Sequence, residues 1–344
     1  MSPIEHVATS IVSPRSHLGE NVKPVLEPLS YPSSVQRRMI IWRYVVVIGL
    51  YHVVALLAFI PWYFSWTGLI LCLAGTYVFG TLGINLCFHR VLTHQGLVLP
   101  KWLEHTFAIL GVCCMQDTPA RWVAIHRMHH QHSDDQPDPH SPLVTLLWGH
   151  MGWLFVENDA INTASSLERY ARDVLKDPFY FYFERGFKWV WVNLIQGMIY
   201  FAAGLLIGWL TTSSAVVALQ MGASLLLWGV IVRTVLVWHI TWSVNSLAHI
   251  WGYKNYELVD NSRNNWFVAL ISNGEGWHNN HHADQRCAAH GHRWWEFDVT
   301  WLTVRFLELI GLARDISRPR QSSPKASSDM RRHAADEPTL VSKG

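Results

Sequence analysis

The sequence predicts an all-α integral membrane protein, in which four transmembrane helices form two hairpins. A cytosolic helical cap on these hairpins is predicted to hold a His-rich site for two metal ions. Half of the 344 residues are hydrophobic and only 15% are charged, whereas soluble domains carry about 25% charge. The chain also contains 20 His and 19 Trp, and these residues are typical of metal sites and of membrane interfaces, respectively.

Four apolar stretches are predicted to cross the membrane, at about 41–60, 67–86, 190–210 and 215–237. A helix of roughly 20 residues, at 1.5 Å per residue, crosses a hydrocarbon core about 30 Å thick. The stretch 107–115 is also apolar but is too short to span. We interpret it as an interfacial or buried helix.

The distribution of Lys and Arg predicts the orientation of the hairpins. The turns at 61–66 and 211–214 contain neither residue, whereas the flanking segments contain Arg37, Arg38, Arg43, Arg90, Lys101, Arg121, Lys188 and Lys254. Because cytosolic loops are enriched in Lys and Arg, both turns are predicted to lie outside. The histidine-rich segments and both termini are then cytosolic.

The polar ends of the chain lie outside the predicted membrane domain at 39–316. Residues 1–38 are expected to be a flexible cytosolic segment without a signal peptide, and residues 317–344 a disordered tail. The net charge of +2 gives no indication of a nucleic-acid partner. The five Cys form no C-x-x-C pair, so neither a zinc ribbon nor a thioredoxin-like site is indicated.

The first histidine cluster is HRVLTH at 89–94. Residues five apart point about 140° apart on a straight α-helix, so His89 and His94 cannot face one metal from an ideal helix. Both can bind the same ion only if the helix ends or is distorted there.

Two further clusters, HRMHH at 126–130 and HNNHH at 278–282, share one spacing. Positions i, i+3 and i+4 lie on one helical face, so three imidazoles converge in each cluster. His249 is a further candidate, and it shares a helical face with Asn245. Since one zinc ion takes about four ligands, nine imidazoles suggest two metal ions. Imidazole suits iron, zinc and copper, and the spacing does not choose among them.

These segments together resemble the membrane fatty acid desaturases of the acyl-CoA and acyl-lipid Δ9 type, which include the stearoyl-CoA desaturases. The matching segments, in chain order, are HRVLTH at 89–94, HRMHH at 126–130, DPH at 138–140, NSLAH at 245–249, GEGWHNNHH at 274–282 and RWWEFDVTW at 293–301. The resemblance covers about residues 40–315, which is nearly everything outside the two ends. His132, Asp134 and Asp135 depart from the residues expected just after the second cluster.

The resemblance implies a di-iron centre, with no catalytic side chain beyond the metal ligands. Its implied ligands are His89, His94, His126, His129, His130, His249, His278, His281 and His282, with Asn245 contacting a metal through water. Metal-bound His usually donates its second N–H to a carboxylate or carbonyl, so Asp138 and Glu275 are candidate orienting partners. His140 is a further candidate neighbour of the ligands.

The implied reaction is O2-dependent desaturation of a long-chain fatty acyl group at Δ9, in acyl-CoA or acyl-lipid. It needs two external electrons, and no haem or iron–sulfur segment is present in the sequence. The expected donor is therefore a separate ferredoxin, rubredoxin, flavoprotein or cytochrome b5. Thr241 and Trp242 are candidates for the wall of an acyl tunnel, and Arg121, Arg127 and Lys188 for contacts with a CoA phosphate or lipid head group.

Two alternatives remain open from the sequence alone. A related hydroxylase or alkane monooxygenase would insert oxygen instead of removing a second hydrogen. A non-enzymatic metal transporter would need ligands within the spans, which contain few His and carboxylates. Arg233 in the fourth span is expected to snorkel or to face the cap. His52, His105, His150, His239, His290 and His292 are interpreted as structural.

Overall fold

The computed structural model describes residues 28–319. The α-helices in this range are α1 (Trp42–Ala55), α2 (Trp66–Gly75), α3 (Lys101–Val112), α4 (Pro119–His132), α5 (Leu146–His150), α6 (Ala164–Leu175), α7 (Pro178–Phe183), α8 (Lys188–Thr212), α9 (Ala215–Leu226), α10 (Arg233–Leu247), α11 (Trp266–Ile271), α12 (His278–Ala283) and α13 (Val299–Leu309). The strands are β1 (Val35–Ile40) and β2 (Val156–Asn158). Two π-helical segments, Thr76–Thr93 and Leu227–Val232, continue α2 and α9.

Four continuous helices in the described chain are long and apolar enough to cross a membrane, as predicted. They are Trp42–Phe59, Trp66–Thr93, Lys188–Thr212 and Ala215–Leu247. The second and fourth spans extend beyond the predicted ends at residues 86 and 237. Their extensions carry His89 and Asn245, so two membrane helices run directly into the histidine-rich region.

Small residues allow the second hairpin to pack closely. Gly204 of α8 lies against the backbone of Gly222, and Gly208 against that of Ala218, so a Cβ at either α8 glycine would lie 2.6 Å from an atom of α9. Close backbone approach of this kind provides the van der Waals contact that holds membrane helices together, since lipid is as apolar as their side chains.

The apolar stretch 107–115 forms the end of α3, a buried helix that does not span, as predicted. Three carbonyl groups at its C-terminal end accept N–H groups from side chains of α8 and α10. Asn193 donates to Val112 O at 3.0 Å, Arg233 to Cys113 O at 3.0 Å and Trp238 to Cys114 O at 2.8 Å. These bonds satisfy backbone groups that have little access to water.

The position of Arg233 differs from the prediction, because its side chain neither snorkels nor faces the cap. It is 0% exposed and bonds to Cys113 O and to Gln196 Oε1 at 3.1 Å. A cation near the C-terminal end of a helix is favoured by the helix dipole. Arg233 therefore holds the end of α3 within the membrane region.

The cap consists of short helices and loops and contains a two-stranded antiparallel sheet, in which Val35 of β1 pairs with Asn158 of β2. Ordered structure therefore begins before residue 39, because β1 covers part of the segment that was expected to be flexible. Residues 1–27 and 320–344 lie outside the described residues. At the other end, Ser317 donates its backbone N–H to Gly96 O at 2.8 Å and so joins the cap.

Candidate metal centre

The first histidine cluster lies at the end of the π-helical segment Thr76–Thr93. His94 donates its backbone N–H to His89 O at 3.1 Å. In a π-helix residue i+5 bonds to residue i, so side chains five apart lie on one side. The distortion that the H-x4-H spacing required is therefore a π-helix, and it directs both imidazoles into one site.

The second cluster lies on the last turns of α4. Thr118 begins this helix, because its side chain accepts the backbone N–H of Arg121 and Pro119 occupies the first helical position. His126 and His130 are four apart, and their Nε2 atoms lie 3.0 Å from each other. The helix thus brings His126, His129 and His130 to a common face, as the spacing predicted.

The third cluster forms α12, a helix of six residues in which all three histidines are buried. Two asparagines between these histidines anchor the helix. Asn279 donates to the carbonyl groups of Tyr256 and Ser262, and Asn280 donates to Glu296 Oε2. The polar residues between the histidines therefore fix the position of the cluster.

The nine predicted imidazoles form two neighbouring groups. One group contains His89, His94, His126, His130 and His281, and the other contains His129, His249, His278 and His282. Within each group, one nitrogen from every ring lies within 4.8 Å of the others. Thus the structure brings together residues up to 193 positions apart in the chain, from His89 to His282.

The distances between facing nitrogens fit metal coordination. His281 Nε2 lies 3.1 Å from His89 Nε2 and 2.9 Å from His130 Nε2. In the second group, His278 Nε2 lies 3.0 Å from His249 Nε2. Imidazole binds zinc at about 2.0–2.1 Å, which places two ligands at right angles about 3 Å apart. The residues present therefore fit a first-row metal ion in each group.

Buried ring nitrogens without hydrogen-bond partners also fit a metal site. His129 Nε2 and His94 Nε2 are buried and bond to no other described atom. Buried polar groups are nearly always satisfied, because an unmade hydrogen bond costs about 1–3 kcal/mol. Metal ions between the rings would satisfy such atoms.

Four carboxylates orient four of the nine imidazoles. Each accepts the Nδ1–H of its histidine in the pairs Glu275–His89 (2.5 Å), Asp138–His129 (3.0 Å), Asp134–His249 (2.8 Å) and Asp260–His282 (3.0 Å). A carboxylate on Nδ1 leaves Nε2 free to bind metal and makes it more basic. His140, the other predicted neighbour, has its ring centroid 4.4 Å from that of His129.

Sequence reasoning named Glu275 and Asp138 as orienting partners but missed Asp134 and Asp260. Asp134 was noted only as a departure from the expected pattern. Asp260 lies 22 residues before His282, a separation that corresponds to no local motif. Only the folded loop brings these two carboxylates to their histidines.

The charge states of the site suit metal binding. Burial, together with neighbouring imidazoles, holds the pKa values of His126, His130 and His281 well below their usual range, so these rings are neutral ligands. Burial raises the pKa of Asp134, but the His249 imidazole and several hydrogen bonds outweigh it, and the net pKa is lowered. Asp134 is therefore an anion beside a ligand of the second group.

Arg90 links the first cluster to the C-terminal loop. Its guanidinium is buried and bonds to Glu275 at 2.7 Å and to Asp298 at 3.0 Å. Both carboxylates are buried as well. Glu275 also accepts from His89. Arg90 and Asp298 therefore hold Glu275 in place, and Glu275 in turn fixes the ring of His89, a candidate metal ligand.

A mostly apolar cavity of about 280 Å³ leads to the two imidazole groups. Its inner wall includes His89, His126 and His278, so a molecule within the cavity lies beside both groups. Trp122, Trp238 and Trp242 form part of its sides. The arrangement suits a long apolar molecule held against a metal centre.

A comparison with protein-family models identifies the architecture. The fatty acid desaturase model matches residues 64–305. The chain belongs to the fatty acid desaturase family. This membrane desaturase is therefore an oxidoreductase that acts on fatty acyl groups, as the resemblance of its histidine clusters implied.

Several curated proteins resemble this desaturase over most of their length. An sn-1 stearoyl-lipid 9-desaturase of Synechocystis is 42% identical over 282 residues, which cover 82% of each chain. An sn-2 palmitoyl-lipid 9-desaturase of Nostoc is 38% identical, covering 82% of this chain and 92% of its own. An acyl-CoA C20 Δ5-desaturase of Anemone leveillei is 39% identical, covering 81% of this chain and 82% of its own.

The predicted substrate residues fall into two sets in the desaturase structure. Thr241, Trp242 and Arg121 line the cavity, as does Asn245. Gln116, which was not predicted, donates to Thr241 Oγ1 at 2.9 Å and is part of the same wall.

Arg127 and Lys188 lie outside the cavity lining. Arg127 bonds to backbone carbonyl groups of Leu92 and Thr93 and pairs with Asp173 at 2.6 Å. Lys188 Nζ lies 3.5 Å from the ring centroid of Tyr182. Arg127 therefore connects α4 to the end of the second span, and Lys188 packs at the start of α8. Sequence position alone had not distinguished these cations from Arg121.

Proposed function

We propose that this desaturase introduces a double bond at position 9 of a long acyl chain carried by a membrane lipid, and that it uses a di-iron centre and O2. The observation that carries this proposal is the pair of imidazole groups at the inner end of an apolar cavity. The names of the Synechocystis and Nostoc relatives support position 9 and a lipid substrate.

The chemistry of the donors supports iron. All nine candidate ligands are imidazoles, which suit iron, copper and zinc. Zinc has no redox chemistry, whereas removal of hydrogen from an unactivated chain with O2 needs a redox metal. Two bound iron ions would supply the reduction of O2 and the cleavage of C–H bonds.

The overall reaction balances with two electrons from outside. The acyl chain loses two hydrogen atoms from adjacent carbons and gains a C=C bond. Two external electrons and two protons join these hydrogens, and O2 is reduced to two molecules of water. We infer that a separate ferredoxin, rubredoxin, flavoprotein or cytochrome b5 supplies the electrons.

The residues of the cavity bind the chain and exclude water. Trp122 donates its indole N–H to Gln116 Oε1 at 3.1 Å, and Gln116 in turn bonds to Thr241. This connected wall lies beside Asn245 in the cavity lining. A fixed wall favours one position of the chain relative to the histidines, and this position sets the carbon pair that reacts.

The outer part of the cavity supports a lipid substrate. Its lining includes Arg43 and Tyr44 from the first turn of α1 and Phe187 and Trp189 from the start of α8. These residues stand at the same ends of two membrane spans, so they lie at the level of lipid head groups. A lipid in the bilayer would reach this opening without leaving the membrane.

Charge at this opening also favours a lipid over CoA. Arg121 Nε pairs with Asp117 Oδ2 at 2.9 Å. Among the described residues, Arg43 also lines the cavity, and it forms no ion pair. CoA carries a diphosphate and a further phosphate, and several cations would be needed to balance them. One cation suits a single lipid head group better.

Reconstituted full-length protein provides the main test. Iron-loaded enzyme and an electron-donor system are added to vesicles that contain an sn-1-stearoyl glycerolipid. In a second sample, the same vesicles are also supplied with stearoyl-CoA. We expect mass spectrometry to show a loss of two hydrogens at position 9 in the lipid chain. Faster conversion of stearoyl-CoA would contradict the lipid assignment, and a gain of one oxygen would contradict desaturation.

Substitution of one histidine from each group tests the metal site. His129→Ala and His281→Ala should abolish activity and lower bound iron, while the protein still inserts into membranes. His292→Ala is the control, because its Nδ1 bonds to the Tyr256 hydroxyl outside both groups. Full turnover by either of the first two variants would show that the corresponding group is not the metal site.

A further inference from the structure

His290 lies beside the metal centre but belongs to neither imidazole group. Its side chain is 1% exposed, and both ring nitrogens lack a hydrogen-bond partner among the described residues. A buried imidazole that served only for packing would leave two polar atoms unsatisfied, which destabilises the folded protein. The ring of His290 therefore calls for hydrogen-bond partners among its neighbours in the working enzyme.

The loop holds the backbone of His290 in place. Its N–H donates to Asp298 Oδ2 at 2.7 Å, and its carbonyl accepts from Asn280 Nδ2 at 2.8 Å. Asp298 also pairs with Arg90. The ring is thus presented by the same network that fixes the first and third histidine clusters.

The ring of His290 faces two metal-ligand candidates. Its centroid lies 4.4 Å from that of His281 and 5.3 Å from that of His89. Its Nδ1 lies 3.4 Å from Glu275 Oε2, the oxygen that accepts from His89. Glu275 Oε2 therefore lies within reach of both histidines.

The ring of His281 likewise has a buried nitrogen that needs a hydrogen-bond partner. Its Nε2 faces His89 and His130, so metal binding through Nε2 places the ring hydrogen on Nδ1. That Nδ1 is buried and has no partner among the described atoms. Metal-bound histidines almost always donate this hydrogen to an acceptor.

We propose that His290 is a positioning residue that accepts the Nδ1–H of His281, directly or through one water, and donates its own Nδ1–H to Glu275. A neutral imidazole has one donor and one acceptor nitrogen, so one tautomer of His290 serves both contacts. The residue would then orient His281 and His89, which bind the same metal ion. This inference rests on the proposed metal centre.

The test compares His290→Leu and His290→Gln in the full-length protein in lipid nanodiscs. Leucine fills the space without hydrogen bonds, whereas glutamine retains a donor and an acceptor. His292→Ala is the control from the same loop, since its Nδ1 bonds to Tyr256 outside both groups. Iron affinity is measured by competition with a chelator, and the two iron environments by Mössbauer spectroscopy.

We expect His290→Leu to weaken iron binding about 10- to 100-fold and to change the spectrum of one iron, with kcat lowered and KM unchanged. His290→Gln should recover most of the affinity, and His292→Ala should match the wild type. A leucine variant with wild-type affinity and spectrum would overturn the proposal, as would a folded glutamine variant as weak as leucine. Wild-type protein that binds no iron would instead refute the proposed function.

Discussion

At the scale of single residues, the proposed metal centre depends on carboxylates as much as on histidines. Four of the nine imidazoles bond through Nδ1 to an acidic side chain. These contacts fix which nitrogen faces the centre and compensate the positive charge that two metal ions would bring. An imidazole without such support can rotate about its side-chain bonds and loses entropy when it binds.

Asp134→Asn tests this orienting role. The amide keeps the shape of the side chain but removes the charge beside His249, so we expect iron affinity to fall about 10- to 100-fold. Competition with a chelator, followed by metal analysis, measures the change. Asp135→Asn is the matched control, because the Asp135 side chain caps the backbone N–H of Gln136 instead of an imidazole. Equal losses in both variants would contradict the prediction.

Glu184, at the end of α7, gives a pH-dependent contribution to stability. Burial, followed by the nearby Asp117 charge, raises the pKa of Glu184 to about 7, and contacts with Thr118 and Arg121 only partly oppose this. Between about pH 4.5 and 7, Glu184 is therefore protonated in the folded state, whereas in the unfolded state, where its pKa is near the usual 4.5, it is ionised. This contribution is fully present below about pH 4.5 and is lost as the pH rises through about 7.

We expect Glu184→Gln to remove this pH dependence. At pH 8 the variant should be more stable than the wild type by about 2 kcal/mol, since partial exposure to solvent screens part of the shift. The difference should vanish near pH 4.5. Thermal unfolding followed by circular dichroism measures this difference at each pH. A constant difference between pH 4.5 and 8 would contradict the expectation.

At the scale of helices, the second span combines two tasks. Its first 10 residues are α2, an ordinary membrane helix, and its last 18 residues are the π-helical segment that contains His89 and ends at the residue before His94. The wider π-helix aligns residues five apart. A continuous helix thus connects the bilayer to the metal centre without an intervening loop, which keeps both imidazoles rigidly placed.

The contact of this π-helix with α3 sets a steric limit at Gly83. A Cβ at this position would lie 2.3 Å from the backbone nitrogen of Gly111. We expect Gly83→Ala to lower the melting temperature strongly and to reduce bound iron, because the backbones must move apart and His89 moves with them. Thermal unfolding measures the melting temperature, and metal analysis measures the bound iron.

Gly49→Ala is the control for Gly83→Ala. It introduces the same methyl group on α1, where nothing lies within 4 Å of the added Cβ. This variant should be as stable as the wild type or slightly more stable, since alanine favours the helix. Similar losses in the two variants would show that helix packing at Gly83 is not the limiting contact.

At the scale of the whole molecule, two hairpins support one cap. The even-numbered spans extend into the cap and supply His89 and Asn245, whereas α4, α12 and the connecting loops supply the other candidate ligands. All of these elements meet on one side of the spans. The proposed electron donor would therefore approach the imidazole groups from that side.

The orientation in the membrane that the charge distribution predicts can be tested directly. Thr212→Cys lies in the exposed turn of the second hairpin, and Glu257→Cys lies on the exposed cap. In intact cells a membrane-impermeant maleimide should label the first variant and leave the second unlabelled. The wild type is the background control, because its cysteines are buried. The opposite labelling pattern would place the cap outside.

The sequence by itself determined the features that depend on local periodicity. Apolar length predicted the four spans, and the i, i+3, i+4 spacing placed His126, His129 and His130 on one face. The short stretch at 107–115 was correctly separated from the spans, because bilayer thickness sets a minimum length. The histidine motifs of the sequence also matched the family that the comparison with family models identified.

Tertiary structure decided the features that depend on contacts between distant residues. The division of nine imidazoles into groups of five and four, the pairing of Asp134 and Asp260 with histidines, and the burial of Arg233 have no local signature. The same holds for Arg127, whose partners come from other elements. The physical reason is that periodicity fixes the direction of a side chain from its own helix, whereas packing of the helices fixes what that side chain meets.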